Sequence, residues 1–539
     1  MKEFLSGNGR KTGASPGREM KKGLANRLTQ YGDEEFALYL RRSFARSMGY
    51  SRESLDKPIV GILNTFSEFN NCHRHFPELV TATKRGVLQA GALPLEFPVI
   101  SLGEVFLSPT SMMYRNLMAM DVEVMIKAQP MDAVILLGGC DKTIPALLMG
   151  AASAGLPAVV LAGGPMLSSR YQEERIGACT DCRRFWAMYR RGELDADQID
   201  SVENRLAPTA GTCGVMGTAS TMACVVEALG MMLPGGAAAP AVFADRLRIA
   251  EETGKTAVKL ISSGLTPAKV MTGAAFDNAL TVLSAIGGST NAIIHLTAIA
   301  GRLGIDLKLD RLDEISRQTP VLVDLKPSGT AYMEDLYQDG GIPALISALE
   351  DRIDLECLCV TGRKIREELP PRENRNGAGR VIHSIDDPVK PAGALAVLRG
   401  NLAPQGAVIK RSAASEKLLQ SKGRAVVFKS LDDLARRIDD PDLEVSPEDF
   451  LVLQNAGPVG APGMPEAGYL PIPKKLTGVK DMVRISDARM SGTAFGTIVL
   501  HVSPEAAVGG PLSLVRDGDP IELDVRGRKL ELHLEDNEI

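Results

Sequence analysis

Three cysteines and three acids in this chain stand where side chains of their type could share a reaction. Cys72 in NTFSEFNNCHRHFPEL, Cys140 in GGCDK and Cys213 in GTCGVMGTASTMA each end an apolar or glycine-rich segment and precede a helical pattern. They are 68 and 73 residues apart, which is no zinc-ribbon spacing. Strand ends of one sheet could still bring them together. Three thiolates can hold an iron-sulfur cluster, 2Fe-2S or 4Fe-4S, while leaving one iron short of the usual four cysteines. An open iron is a Lewis acid able to hold a leaving hydroxyl.

Glu104 in FPVISLGE, Asp141 beside Cys140 and Glu466 in GAPGMPEAG are carboxylates on three loops, the donor set of a hard divalent ion such as Mg2+. Lys142 next to such an ion is electrostatically awkward unless it is neutralised or modified. Ser491 lies in ISDARMSGTAFGT between Arg489 and a Gly-Thr turn. A turn serine ordinarily caps backbone, but a nearby positive charge can make it a base. GGSTNA, Gly287 to Ala292, reads as an anion-ready nest of amides at a helix start. Taken singly, each acid reads as well as a solvated loop carboxylate, and GGCDK as a half-buried thiol beside a surface ion pair. Cys179 and Cys182 form C-x-x-C, Cys357 and Cys359 C-x-C; ordinary loop thiols are expected there, with a four-thiolate zinc site as the alternative. The glycines Gly211, Gly214 and Gly217 match neither a P-loop nor a dinucleotide fingerprint. The six histidines show no paired metal spacing.

The elements that must position these groups fall into two textures. From Lys57 the chain alternates apolar runs (PIVGILNTF, FPVIS, MDAVILLGG, AVVLAGG) with helical patterns, as in a parallel sheet covered by helices. In MDAVILLGGCDK the strand ends at the reactive side chains, with Thr143 expected to cap the next helix and Pro145 in its first turn. Carboxyl ends of strands are where open α/β sheets bind ligands. Helical periodicity dominates from Glu227 to Leu349. After Lys390 come short strands between glycines and prolines (GAVIK, RAVVF, DFLVLQNAG, MVRISDARM, TIVLHVS, PIELDV, KLELHL), the pattern of a barrel. The fold class expected is α/β: a flexible tail over 1–27, a large α/β domain with a parallel sheet over 28–380 carrying the cluster and most metal ligands, and a β-barrel-like domain over 381–539 carrying Glu466 and Ser491. PPRENRNGAGR, Pro370 to Arg380, is the linker.

At 539 residues the chain exceeds one ordinary core. Apolar content of 45% and charge of 24% are those of a soluble globular protein. A net charge of -5, with no basic block beyond REMKKG, gives no support for nucleic acid as a partner. The most apolar long window, from Val225, contains Glu227, Pro234 and paired glycines, so no membrane span is expected. The polar N-terminus shows no apolar signal region, and a cytoplasmic protein with reduced thiols is expected.

With these pieces assembled, the chain from about Leu28 onward resembles the family of dihydroxy-acid, phosphogluconate and sugar-acid (aldonate) dehydratases. GGCDKTIPALLMGA, GTCGVMGTASTMA, EALGMMLPG, GGSTNAIIHL, GNLAPQGAVIK, GAPGMPEAG and DARMSGTAFG carry the likeness. The resemblance implies Cys72, Cys140 and Cys213 as cluster ligands. It implies Glu104, Asp141, Glu466 and a carbamylated Lys142 on Mg2+, and Ser491 as the alkoxide that takes the C2 proton of a hydroxy-acid substrate. It further implies a 2-keto-3-deoxy acid product and a homodimer or homotetramer. SLGEVFLSPTSMMYRN around Glu104 resembles the sugar-acid branch, whereas branched-chain enzymes typically show SDGIAMGHEGM there; dihydroxy-acid dehydration in branched-chain synthesis is the alternative substrate reading. Family members often continue beyond the point where this chain ends, at LEDNEI. A non-catalytic iron-sulfur sensor on the same scaffold would need the cysteines but not the acids or Ser491.

Overall fold

The computed structural model describes residues 21–28, 31–370, 381–391, 393–466 and 470–533. The expected tail up to residue 20 and the linker 371–380 lie outside them.

Strands β1 (Ile59–Asn64), β2 (Leu93–Pro98), β3 (Ala133–Gly138) and β4 (Ala158–Ala162) form a parallel sheet in the order β2-β1-β3-β4. β1, β3 and β4 are buried along their whole length, which is why they read as unbroken apolar runs. Helices Phe76–Gln89, Thr143–Ala154 and Ala244–Ser263 pack on the sheet. Two of them touch backbone to backbone: a Cβ on Gly86 would run into Glu251 O, and one on Gly254 into Thr83 O.

Two local expectations are corrected. FPVIS is not a strand through Ser101. Val99 N still donates to Asn64 O at 3.3 Å, but Ile100 N turns to Asp121 Oδ2 at 3.0 Å and the chain leaves the sheet, so Glu104 sits in a turn beyond the strand. Thr143 does not cap the helix after β3; it is the first helical residue, and its hydroxyl donates to Leu102 O at 3.3 Å.

After a small hairpin, β5 (Ser169–Tyr171) with β6 (Glu174–Ile176), the helical middle runs from Thr218 to Ala348. The second sheet has eight strands: β7 (Ala396–Leu398), β8 (Gly406–Ile409), β9 (Gln420–Phe428), β10 (Phe450–Leu453), β11 (Arg484–Ser486), β12 (Ile498–Ser503), β13 (Pro520–Asp524) and β14 (Lys529–Leu532). Their order is β14-β13-β9-β10-β11-β12-β8-β7. Just past β7, Arg399 N donates to Arg528 O and Leu530 N to Arg399 O, both at 2.9 Å, so the two ends of the sheet meet. The result is a nearly closed barrel. Alternation fills it: Val427, Val452, Ile485 and Val499 belong to one core, while their neighbours Val426, Phe428, Leu451 and Leu500 join another. Among the described residues no helix is long and apolar enough to cross a membrane.

Candidate active site

In the order β2-β1-β3-β4 the chain reverses direction of growth between β1 and β3, the place at which open α/β sheets bind ligands beyond the strand ends. Cys72 follows β1 and Cys140 follows β3. His73 ties the two loops: its Nδ1 donates to Thr65 O at 2.7 Å and its Nε2 accepts from Gly139 N at 3.0 Å. Burial pushes this imidazole down to about 4, and with both ring nitrogens engaged by backbone it serves as a neutral strut. Thr212 closes the third side, because a Cβ on Gly139 would lie 3.2 Å from the His73 ring and 3.3 Å from Thr212 Cγ2. The direct chain neighbours of Cys72, Cys140 and Cys213 thus meet at one point.

Cys140 itself has φ +59°, a left-handed conformation that non-glycine residues adopt at a cost of about 1 to 3 kcal/mol and that clusters at functional sites. The Cys72 thiol is pushed well up, first by hydrogen bonding to Cys140, then by burial and by the charges of Cys140 and Asp141. Such a thiolate set is stable only beside compensating positive charge, which is the fit expected of an iron-sulfur cluster. Cys213 has a further neighbour that the sequence did not suggest: Cys179 Sγ lies 2.9 Å from Cys213 Sγ. Cys179 is therefore not an ordinary loop thiol. Among the described residues no group of three or more His, Cys, Asp or Glu stands ready to hold a metal ion, at Cys179, Cys182, Cys357 and Cys359 or elsewhere.

The three acids converge on Lys142. Its Nζ, fully buried, pairs with Asp141 Oδ2, with Glu104 Oε2 at 3.1 Å and with Glu466 Oε1 at 3.7 Å. Burial opposes the ammonium, yet the surrounding carboxylates, Asp141 foremost, hold its pKa above the ordinary value. Among the described residues no three His, Cys, Asp or Glu side chains close on a common point as ligands; the place between the acids is taken by Nζ. Charge shows how a metal would fit. As an ammonium, Lys142 with Arg489 sets two cations against three carboxylates. Converted to a carbamate it becomes a fourth anion, and one divalent ion restores the same balance.

Arg489 was seen in the sequence only as a neighbour of Ser491, but it organises the acids. Fully buried, it donates through NH1 to Glu466 Oε1 at 2.8 Å and through NH2 to Glu104 Oε1 at 3.2 Å and Thr110 Oγ1 at 2.7 Å. Its Nε holds Met464 O at 2.8 Å. Two acids from opposite ends of the chain are thereby fixed by one guanidinium. Thr110 also donates to Glu104 at 3.0 Å, and Ser111 donates to its other oxygen.

Ser491 occupies a turn anchored on three sides. Asn291 Nδ2 donates to Met490 O at 3.1 Å, Lys410 Nζ to Gly492 O at 3.2 Å, and Thr180 Oγ1 to Thr493 O at 3.4 Å. Gly492 has to be glycine, since a Cβ there would lie 2.5 Å from Ser289 Cβ. The expected anion nest at GGSTNA is corrected by the same contacts: Ser289 N donates to Thr221 Oγ1 and Asn291 N to Ser289 Oγ, so those amides are already satisfied. The segment instead braces the serine turn. Ser491 Oγ is 2.9 Å from Thr493 Oγ1.

Lys410, at the end of β8, is a second residue that sequence reasoning passed over; its only signal was a lysine closing the apolar run GAVIK. Burial pushes it down to about 7. The unfolded value is near 10.4, so the folded chain binds fewer protons between these pH values and stability rises with pH through that window. Lys410→Met removes the effect. Its stability relative to wild type is expected to fall by roughly 3 kcal/mol between pH 7 and pH 10, measured by urea unfolding at both; a difference independent of pH would contradict the lowered pKa of the buried amine.

Residues 57–368 match the dihydroxy-acid/6-phosphogluconate dehydratase N-terminal family and residues 380–539 its C-terminal counterpart. An L-arabonate dehydratase of Azospirillum brasilense is 48% identical over 95% of this chain and 89% of its own length. A 6-deoxy-6-sulfo-D-gluconate dehydratase of Pseudomonas putida is 45% identical over 94% and 89%. A dihydroxy-acid dehydratase of Acetivibrio thermocellus is 38% identical over 92% and 90%.

Proposed function

The chain belongs to the dihydroxy-acid/6-phosphogluconate dehydratase family and is a hydro-lyase, and from that premise we propose that it is an iron-sulfur and magnesium dependent dehydratase converting a C5 or C6 aldonate to a 2-keto-3-deoxy acid and water. The observation that carries this reading is the meeting of Glu104, Asp141 and Glu466 around Lys142 next to Cys140. When bound, a cluster on Cys72, Cys140 and Cys213 and a Mg2+ on Glu104, Asp141, Glu466 and carbamylated Lys142 would supply two Lewis acids, one for the departing 3-hydroxyl and one for the substrate carboxylate and 2-hydroxyl.

The protein's own residues do the rest. Ser491 Oγ takes the C2 proton as an alkoxide, oriented by Thr493 and by the braced turn. Arg489 keeps the two distant carboxylates in register. Loss of the 3-hydroxyl leaves an enol, which tautomerises to the keto acid.

Preference for a sugar acid is supported by the higher identity to the two sugar-acid enzymes than to the dihydroxy-acid one. It is supported too by Thr110 and Ser111, which hold Glu104 from within the segment that differs between branches. The exposed apolar side chains Leu117, Met120 and Val124 on one helix support a homodimer or homotetramer.

The proposal is tested by iron, sulfide and magnesium analysis of protein purified without oxygen. Cys213→Ala is expected to lose the cluster, as judged by its visible absorption, and Cys179→Ala to keep it. Loss in both would make Cys179 a ligand and break the three-cysteine assignment. A protein holding iron but no magnesium would favour a sensor.

A further inference from the structure

Cys179 Sγ stands 2.9 Å from Cys213 Sγ, and a further thiol, Cys182, is hydrogen-bonded to Cys179 and donates to Cys179 O at 2.7 Å. Cys179 is thus a thiol between two thiols, and none of the roles above uses it or Cys182. The fold builds this contact. Cys179 precedes the helix Thr180–Arg190, and Cys182 lies in its first turn. Asp181 between them is buried and accepts from Gly177 N at 2.9 Å, from Lys326 Nζ at 3.1 Å and from Tyr332 Oη at 2.8 Å. Lys326 O in turn accepts from Met216 N at 2.9 Å, and Met333 N, next to Tyr332, donates to Gly214 O at 2.8 Å. Lys326 therefore holds the C-x-x-C turn and the Cys213 loop together.

Exposure divides the thiols. Cys72 and Cys140 are buried, whereas Cys179, Cys182 and Cys213 are half-buried, so a small oxidant reaches the site from the side of Cys213. A cysteine ligand leaves a dismantled cluster as a thiolate, the form that peroxides attack. Left alone, it climbs through sulfenic to sulfinic acid and is lost as a ligand. A thiol alongside diverts the sulfenic acid to a disulfide instead. Closing the 2.9 Å gap to a bond of about 2.05 Å asks for a movement of roughly 0.9 Å.

We propose that Cys179 and Cys182 form a redox-active dithiol that recovers Cys213 after attack by hydrogen peroxide. The Cys213 thiolate takes one oxygen to become a sulfenic acid as the O–O bond breaks, and the other oxygen leaves as hydroxide. Cys179 Sγ then attacks Cys213 Sγ; an S–S bond forms, the S–O bond breaks, and water leaves with the thiol's proton. Cys182 next attacks Cys179 Sγ, which moves the disulfide to Cys179–Cys182 and releases Cys213 as the thiolate it began as, while the proton of Cys182 neutralises the hydroxide. Hydrogen peroxide is reduced to two waters, Cys179 and Cys182 are oxidised by two electrons, and Cys213 is free to hold a cluster again. The thiol chemistry stands on the geometry alone; its use in keeping a cluster ligand rests on the dehydratase reading.

The test starts from full-length protein purified without oxygen and titrates it with hydrogen peroxide. Remaining thiols are then alkylated in acid, and the state of each cysteine is mapped by peptide mass spectrometry. In wild type, Cys179 and Cys182 are expected as one internal disulfide and Cys213 as an alkylated thiol. Cys182→Ala is expected to stop at the Cys179–Cys213 disulfide, and Cys179→Ala to yield Cys213 as sulfinic acid. Ferrous iron and sulfide, added afterwards, should restore the visible absorption of a cluster in wild type but not in Cys179→Ala. Recovery of Cys179 and Cys182 as alkylated thiols, or equal Cys213 sulfinic acid in wild type and Cys179→Ala, would overturn the dithiol and leave the dehydratase reading standing. The expected disulfides in a protein that takes up no iron even without oxygen would support the dithiol and sink the cluster reading.

Discussion

Ser491→Ala is expected to lower kcat on the sugar acid by about three to four orders of magnitude, the upper range for loss of a positioned base, with the thermal midpoint nearly unchanged. The small effect on folding follows from how the turn is held. Asn291, Lys410 and Thr180 grip the carbonyls of Met490, Gly492 and Thr493, and none of these bonds involves the serine hydroxyl. The hydroxyl's own contact is with Thr493. The loss should fall on kcat rather than KM, because substrate contacts with the acid cluster survive. A ten-fold effect or less would mean that another group takes the proton.

Lys142→Arg should be nearly as damaging for a different reason. The guanidinium keeps a positive charge among Glu104, Asp141 and Glu466 but cannot become a carbamate, so the acids remain neutralised by protein and have no call for a divalent ion. Activity is expected to drop by at least about three orders of magnitude, as several kcal/mol of metal polarisation disappear, and bound magnesium should fall from stoichiometric to near zero. In wild type, magnesium retention should depend on dissolved carbon dioxide, and 13C-labelled bicarbonate should give a carbamate resonance that is missing in the variant. Full magnesium occupancy in Lys142→Arg would refute the carbamate.

Much of this arrangement was legible in the sequence because it is local. Cys72 and Cys140 follow buried strands whose unbroken apolar runs stand out, and seven of the barrel's eight strands announce themselves between glycines and prolines. β7 did not, since three residues, Ala396–Leu398, are too few to show alternation. What stayed hidden depends on segments far apart in the chain. Arg489 reaches Glu104 across 385 positions, and Cys179 meets Cys213 from a separate loop, so no spacing rule reports either contact. The expected cap at Thr143 and the expected amide nest at GGSTNA failed for one shared reason. In both, a polar group that local rules assign to its own backbone had found a tertiary partner: Leu102 O for Thr143, and Thr221 for Ser289 N.

The most direct test of the central claim is an oxygen-free assay of 2-keto acid formation by the magnesium-loaded protein, on a panel of C5 and C6 aldonates, plain and terminally phosphorylated, beside 2,3-dihydroxyisovalerate. Turnover of at least one sugar acid well above that of dihydroxyisovalerate, abolished by chelating the magnesium, is the predicted result. Preference for dihydroxyisovalerate would place the protein in branched-chain synthesis, and a cluster-bearing protein that turns over none of these acids would contradict the account altogether.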